Sequence, residues 1–387
     1  MKPPFVLADD LSGALEAGAA FLAAGWRPFV PVADPGEATA GEGELLVLSS
    51  ETRNAAPATA RAAVARLLAL PGVRQRELLF KKVDSTLRGP IGAELAALQE
   101  ALPGRRIFLC PANPLTGRTV RAGRLLVKGV PVDQTEFGHD PLSPIGTADI
   151  VQLLEGQGVR AHRDGLEVAD SVCVCDADDL EALRQLVIRA RAMNPPALLV
   201  GSGALGALLA VDRRQRVAPV TDWGVSGSLL VICGSRHPQS LRQMAELAGT
   251  GVTVISVSLD QEPAVVAETL ARAREKSAVV GVTFQAEGVS DAASAVQAWI
   301  VRLARAVDER GIFSTLGLTG GETAAAVVHA LGADRLEVRA EFEPGVISSS
   351  LVRAGRPGLR VITKPGGYGA NGLWAGIVQC GMKQNSS

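Results

Sequence analysis

Lysine is scarce in this chain, and so are the motifs that would place it in several common classes. Seven lysines occur in 387 residues (Lys2, Lys81, Lys82, Lys128, Lys276, Lys364 and Lys383), arginine is abundant, and the net charge is −1. So balanced a chain has no polybasic face for nucleic acid or an anionic membrane, and any anion site must be local. The five cysteines, Cys110, Cys173, Cys175, Cys233 and Cys380, are odd in number and include no C-x-x-C. That usage suits a reducing cytosol better than a disulfide framework and speaks against zinc. Cys173 and Cys175 share one face of a strand-like run and read as core residues. No G-x-x-x-x-G-K-[ST] occurs, so a P-loop is excluded. No targeting segment is visible, because "MKPPFVLADD" turns acidic before a signal-length apolar run develops. Runs such as "SLLVICG" are far too short to span a bilayer. The expectation is a cytoplasmic protein with a small-molecule substrate, no nucleic-acid partner and no membrane contact; a homo-oligomer stays open.

At 47% hydrophobic and 20% charged, the chain can bury the cores of two ordinary domains. Strand-like runs fall at 4–8, 44–49, 77–83, 105–110, 171–175 and 197–201, then at 228–233, 252–257, 277–283, 312–317 and 359–363. Ala/Leu/Arg-rich helical stretches separate most of them. The alternation predicts an α/β class: two α/β domains with largely parallel sheets flanked by helices. Continuous apolar runs without period-two alternation fit parallel strands buried on both faces. A charged, loop-like stretch at 212–227 divides residues 1–222 from 223–387. The Pro- and Gly-rich stretch 111–146 reads as a long irregular excursion with a functional purpose. The tail "KQNSS" reads as disordered.

Chemistry-bearing residues gather where strands end. "FVLADDLSGALEAG" places Asp9, Asp10 and Ser12 between a strand and a helix, the edge where open α/β sheets bind ligands. Asp10 or Ser12 could instead serve as a helix cap; as a pair, the acids could hold Mg²⁺, orient hydroxyls or act as a base. "LLFKKVDSTLRGP" crowds Lys82, Asp84, Ser85 and Arg88 after a second strand, and alternation puts Lys82 and Asp84 on one face with Lys81 on the other. Arg88 offers a fork for a carboxylate, and Asp84 a proton acceptor. In the excursion, Arg118, Thr119, Thr135, Glu136, His139 and Asp140 are polar candidates; His139 reads as a loop-packing residue, since sequence neighbours seldom face each other. "GSGALG" at 201–206 matches a dinucleotide fingerprint, but the required second strand ending in an acid is missing, Asp222 being the nearest candidate. In the second half, Ser235 of "VICGSRHPQS", Gly320, Gly321, Glu322 and Thr323 of "LTGGETAAAVV", and Lys364, Gly366 and Gly367 of "VITKPGGYG" all sit at strand ends. Bare glycines before a helix admit an anion to backbone N–H groups. Three such ends in one domain read as a nucleotide cradle, with Lys364 at its mouth.

The ordered set "ADDLSGA", "KKVDSTLRG", "GRTVRAG", "GSGALG", "CGS", "GGET" and "KPGGYG" resembles the four-carbon acid sugar kinases over nearly the whole chain. K-x-DSTLRG and GGET are its most specific parts. The resemblance implies an ATP-dependent kinase, with Mg²⁺, acting on a hydroxyl of threonate, erythronate or an oxo-tetronate. It implies an acid-sugar domain first and a nucleotide domain second. Asp9, Asp10, Ser12, Lys82, Asp84, Ser85 and Arg88 fall on the substrate side, and Ser235, Gly320–Thr323, Gly366 and Gly367 on the nucleotide side. On this reading Arg88 and Lys82 hold the substrate carboxylate, Asp84 or alternatively Asp10 takes the hydroxyl proton, and Lys364 offsets phosphate charge. His237 before Pro238, "PGVISSS" and Asn371 depart from the family pattern. The alternatives are a nicotinamide-dependent oxidoreductase using GSGALG and a non-catalytic acid-sugar binder.

Overall fold

Apolar strands followed by helices that begin at polar strand ends build two α/β units. The computed structural model describes residues 3–33, 35, 40–140, 143–165, 170–213, 227–284 and 292–384. One unit comprises Met1–Val30 and Asp34–Pro219, the other Pro31–Ala33 and Val220–Ser387. The division expected after Asp222, the Asp222 candidate itself and the last three residues of the expected tail lie outside the described residues.

The first unit runs β1 (Pro4–Ala8), α1 (Leu11–Ala23), β2 (Arg27–Pro31), β3 (Glu44–Ser49), α2 (Pro57–Ala69), α3 (Pro71–Arg74), β4 (Glu77–Lys82), α4 (Ile91–Ala101) and β5 (Ile107–Cys110). It continues through β6 (Arg118–Arg121), β7 (Arg124–Val127), β8 (Val130–Pro131), α5 (Ile150–Gly156), β9 (Ala161–Arg163), β10 (Val172–Val174), α6 (Leu180–Ala192), β11 (Leu198–Gly201) and α7 (Gly203–Asp212). The main sheet has the order β2-β3-β1-β4-β11-β5-β10-β9, with every pairing parallel. Val6, Leu7, Val47, Phe80, Leu109 and Val200 are wholly buried in it. Because β3, β1, β4 and β11 are neighbours and parallel, their carboxyl ends emerge side by side.

Residues 111–146 are more regular than expected. They contain β6–β8, a small antiparallel sheet. Two tight turns make it: Ala122 and Gly123 at φ 49° and 70°, and Lys128 and Gly129 at φ 50° and 82°. Successive positive φ values are what a two-residue hairpin turn needs, and glycine at its second place removes the steric cost.

The second unit runs β12 (Leu229–Cys233), α8 (Pro238–Gly249), β13 (Thr253–Val257), α9 (Pro263–Lys276), β14 (Val279–Phe284), α10 (Ala292–Glu309), β15 (Thr315–Thr319), α11 (Gly321–Ala330), β16 (Arg335–Glu343), β17 (Val346–Val352), β18 (Leu359–Lys364) and α12 (Leu373–Gln384). Its strand order is β13-β14-β12-β15-β18-β17-β16. The first five strands are parallel; β17 runs antiparallel to β18 and β16. The buried Trp374 ring lies flat enough against Gly317 that a Cβ there would meet it at 2.8 Å. Parallel order again sets β12, β15 and β18 side by side, so the three glycine-bearing turns emerge from adjacent strands. Among the described residues, no helix is long and apolar enough to cross a membrane.

Lys81 shows how a charge is accommodated behind a strand end. Its Nζ lies 3.1 Å from Glu94 Oε2 on α4, and both side chains are almost fully buried. Glu94 also accepts from the Thr52 hydroxyl and, at 3.3 Å, from the Ser50 hydroxyl. Removing one partner of a buried pair strands the other charge in a poor solvent. Lys81→Met is therefore expected to lower stability by about 3–5 kcal/mol. The double change Lys81→Met/Glu94→Leu should recover much of that loss in thermal unfolding.

Candidate functional site

The first cluster starts with the helix cap that the sequence allowed. Asp10 is the N-cap of α1, and its Oδ1 accepts from Gly13 N at 2.6 Å. Asp9, on the last turn out of β1, is 1% exposed. Two adjacent buried acids repel, and Arg53 resolves the conflict. Its Nε and Nη2 reach Asp9 Oδ2 and Oδ1, each at 2.9 Å, while Nη1 grips Asp10 Oδ2. Arg53 comes from the loop after β3, tied down by Thr52 N and Arg53 N donating to Asp9 O. Both oxygens of Asp9 are thus taken by a guanidinium, and the Mg²⁺ role considered for the pair does not fit this arrangement.

The two carboxyls are driven apart. Burial would raise Asp9, but Arg53, with Lys81 and Lys82, holds it below the ordinary carboxylate range. Burial also raises Asp10; Arg53 pulls it down, and the charge of Asp9 tips the balance, leaving Asp10 above that range. Asp10 is therefore the more basic of the two.

The second cluster lies one strand away. β4 ends at Lys82, so the strand alternation expected to put Lys82 and Asp84 on one face does not extend to Asp84. Lys82 Nζ is 2.9 Å from Glu16 Oε2 on α1, and burial's pull on it is overcome by Glu16 and Asp9, which keep it charged. Asp84 faces Arg88 as a fork to a fork, with Nε–Oδ2 and Nη2–Oδ1 both 3.0 Å. The Thr86 hydroxyl donates to the same carboxylate. Burial would raise Asp84, but Arg88, Arg53 and Thr86 hold it far below the usual range. Ser85 is buried beside it, and Ser12 lies half-buried in the first turn of α1. Arg88 Nη1 also reaches Asp140 Oδ2 at 3.3 Å. Lys82 and Arg88, expected to hold the substrate carboxylate, are each already in an ion pair with a protein carboxylate.

The excursion contributes too. His139 turns to Thr135 O at 3.4 Å, whereas Asp140 turns to Arg88, so the two do not act as a pair. The guanidinium carbons of Arg88 and Arg118 each lie 5.7 Å from the Phe137 ring centroid. Sequence reading missed Arg53 and Glu16. The signal for Arg53 was its position just beyond the carboxyl end of the strand 44–49; for Glu16 it was the helical spacing of four from Ser12.

GSGALG is used for packing. A Cβ on Gly201 would collide with Cys110 O, on Gly203 with the Glu16 carboxylate, and on Gly206 it would meet the Phe80 ring at 2.8 Å. These glycines bring α7 close to β4 and α1. Cys173 and Cys175 are buried, with Sγ atoms 3.8 Å apart and Asp164 Oδ1 3.8 Å from Cys173. Arg189 bridges Asp164 and Cys175 at 2.6 and 3.2 Å, so a protein cation already sits against these donors.

In the second unit the three turns converge. Gly320, at φ 107°, leads into α11, and its N–H donates to Lys364 O at 2.8 Å. A side chain at that φ would be strained. Residues 321–323 form the first helical turn, where N–H groups lack helical acceptors and the dipole favours an anion. A Cβ on Gly366 would collide with the Ser235 hydroxyl, and one on Gly367 would meet His237 Nε2 at 3.0 Å. Ser235, Gly320–Thr323 and Gly366-Gly367 therefore share one edge, where the glycines let the turn pack closely against Ser235 and His237. Lys364 is the exception. It is 1% exposed, and its ammonium donates to Pro365 O, Gly366 O and Tyr368 O at 2.9, 2.9 and 3.0 Å. It lies under the glycine turn, not at its mouth, because the turn's carbonyls point inward and need donors. Gln243 Nε2 supports the same turn through Tyr368 O, Gly369 O and Ala370 O. Of the departures, His237 caps α8 by accepting from Gln239 N, and Asn371 accepts from Gln239 Nε2.

Comparison with known proteins agrees with this division of labour. Residues 5–209 match a sugar-binding N-terminal domain, and residues 230–373 a nucleotide-binding C-terminal domain. A D-threonate kinase of Bordetella bronchiseptica is 33% identical, over 94% of both chains. A D-threonate kinase of Cupriavidus necator is 32% identical, over 95% of this chain and 96% of its own. A 3-oxo-tetronate kinase of Pseudomonas savastanoi pv. phaseolicola is 27% identical, over 95% of each. A solved chain from Salmonella typhimurium LT2 superposes with a TM-score of 0.81 at 22% identity, over 98% of this chain and 99% of that one. A Haemophilus influenzae protein does so with 0.74 at 19%, over 97% and 100%; at these identities the two structures speak to the fold alone. The protein is a phosphotransferase with an alcohol group as acceptor. It belongs to the four-carbon acid sugar kinase family.

Lys364 gives the nucleotide edge a testable pH dependence. Burial lowers its ammonium to about 8, with Cys233 and Glu343 opposing the shift. Below that pH three protons serve three carbonyls; above it the neutral amine has two. The KM for ATP is expected to rise as pH passes upward through about 8. Lys364→Met should give a KM raised about tenfold and indifferent to pH in this window, consistent with one lost charged hydrogen bond. Steady-state kinetics from pH 7 to 9 check it.

Proposed function

We propose that this chain uses Mg²⁺-ATP to phosphorylate a hydroxyl of a four-carbon sugar acid of the D-threonate or 3-oxo-tetronate type. The carrying observation is the pair of unlike acids, Asp9 and Asp10, braced by Arg53 beside the Asp84–Arg88 fork. The relatives' substrates and the match to a sugar-binding domain support the reading.

Asp10 is the proposed base. Its raised proton affinity suits it to take the proton of the substrate hydroxyl as that oxygen attacks the γ-phosphorus and ADP leaves. Asp84 is too strongly stabilised as an anion to serve well; it positions Arg88 and, with Ser85, Ser12 and Asp9, orients substrate hydroxyls. Lys82 keeps the cluster charged and fixed through Glu16. The N–H groups of 321–323 and the Ser235 hydroxyl suit the ATP phosphates, with Gly366 and Gly367 letting their turn close against Ser235 and His237. Mg²⁺ would ride on those phosphates and neutralise charge that develops during transfer. Free thiols at Cys110, Cys173, Cys175 and Cys233 suit a reducing compartment, and the reading places the enzyme in the cytoplasm.

An ADP-release screen against a panel of four-carbon acids tests the function; ligand-induced stabilisation without ADP release would make the protein a binder instead. Asp10→Asn is expected to lower kcat by about 10²–10⁴-fold. In the parent enzyme, kcat/KM should fall as pH drops through a value above the usual carboxylate range, and that limb should vanish in Asp10→Asn. Asp84→Asn should keep the limb and raise the KM for the acid. The reverse pattern would exchange the two roles.

A further inference from the structure

Arg53, Lys82 and Arg88, the cations around the first unit's strand ends, face five carboxylates: Asp9, Asp10, Glu16, Asp84 and Asp140. All three are in ion pairs. Such a cluster repels an anionic substrate unless another cation faces it. Arg118 fits that need. It opens β6, pinned to the end of β5 by Asn113 N to Arg118 O at 2.9 Å and Arg118 N to Asn113 O at 3.0 Å. Its guanidinium carbon lies 5.7 Å from the Phe137 centroid, as does that of Arg88. Twice that distance is therefore the most that can separate the two guanidinium groups. No carboxylate pairs with Arg118 among the described residues. The guanidinium's one hydrogen bond there is from Nη1 to Thr116 O, at 2.7 Å. Nε is sealed from water with no acceptor, and Oδ1 of the buried Asn113 is sealed with no donor.

We propose that Arg118 is the residue that recognises the carboxylate of the sugar acid, resting on the functional reading above. The Nε–Nη2 edge is the one a carboxylate grips with two parallel bonds. Burying Nε without an acceptor costs free energy that a bound carboxylate would return, after a small turn of the guanidinium. Phe137 steadies the group through its π-face. Arg88, held by Asp84 and Asp140, then sets the far side of the pocket rather than its anion contact. The specificity is for a terminal carboxylate on a short polyhydroxy chain, read by a residue of the excursion and not by the K-x-DSTLRG strand end.

The test is steady-state kinetics of the whole enzyme with the four-carbon acid that gives the highest ADP release. Arg118→Met should raise the KM for the acid by about 100-fold, in line with loss of a bidentate charged contact. kcat should stay within about threefold and the KM for ATP within about twofold, since neither depends on ground-state carboxylate binding. Arg118→Lys keeps the charge but not the fork, and should fall between the two. If Arg118→Met does not fold, Arg118→Lys alone decides, with at least about a tenfold rise in acid KM and unchanged thermal unfolding. An unchanged acid KM, or equal losses in acid KM, ATP KM and kcat, overturns the role of Arg118 and leaves the kinase reading standing. A parent enzyme that releases no ADP with any four-carbon acid overturns that reading, and Arg118's role with it.

Discussion

Everything at the first unit's sheet edge depends on Arg53 holding two adjacent carboxylates together. Without a shared cation, Asp9 and Asp10 could not both sit in so dry a place. Sharing it unequally gives them different characters. Asp9 receives two bonds from the guanidinium and becomes a fixed anion. Asp10 divides itself between the guanidinium and the helix cap and retains an appetite for a proton. Two identical side chains, one residue apart, acquire opposite proton affinities from environment alone. The cap belongs to the same device, since it sets where Asp10's second oxygen points.

The nucleotide edge works by the opposite means. Arg236 and Glu322 stand exposed there, and shape comes from what glycine omits. Gly320 takes a backbone angle that disfavours side chains, while Gly366 and Gly367 let the turn lie against Ser235 and His237. Lys364 is turned inward to hold carbonyls. The backbone N–H groups of 321–323 are the donors proposed to face the phosphates.

The fold was legible wherever burial was uniform. Runs such as 44–49 and 228–233 are apolar on both faces because parallel strands are covered on both, and the structure has strands there. The strands that escaped notice are of another kind. β16, "RLEVRAEFE", alternates between half-buried and buried positions, a period-two pattern overlooked among continuous runs. β6–β8 are too short to show a period, and their signal lay in the turn pairs Ala122-Gly123 and Lys128-Gly129. The site residues that gather at strand ends were visible as residue types. Their pairings were not, because Arg53–Asp9, Lys82–Glu16 and Arg88–Asp140 join distant positions, and a sequence shows a charge without showing its neighbour. Lys364 illustrates the same gap: its identity suggested a phosphate contact, and only the direction of the turn's carbonyls shows what it holds.

The small antiparallel sheet has a consequence for how such an enzyme can change. It is a hairpin ladder closed by two tight turns, attached to the parallel core through Asn113 and Arg118 and through the bridge from Val120 to Ala177. The acid–arginine brace and the sheet beneath it belong to other segments. Replacement or lengthening of the hairpins can thus reshape the wall proposed to face the sugar while the proposed proton-handling groups stay where they are. Diversification among relatives, and any laboratory attempt to retune them, has a natural handle there, separable from the machinery that must not move.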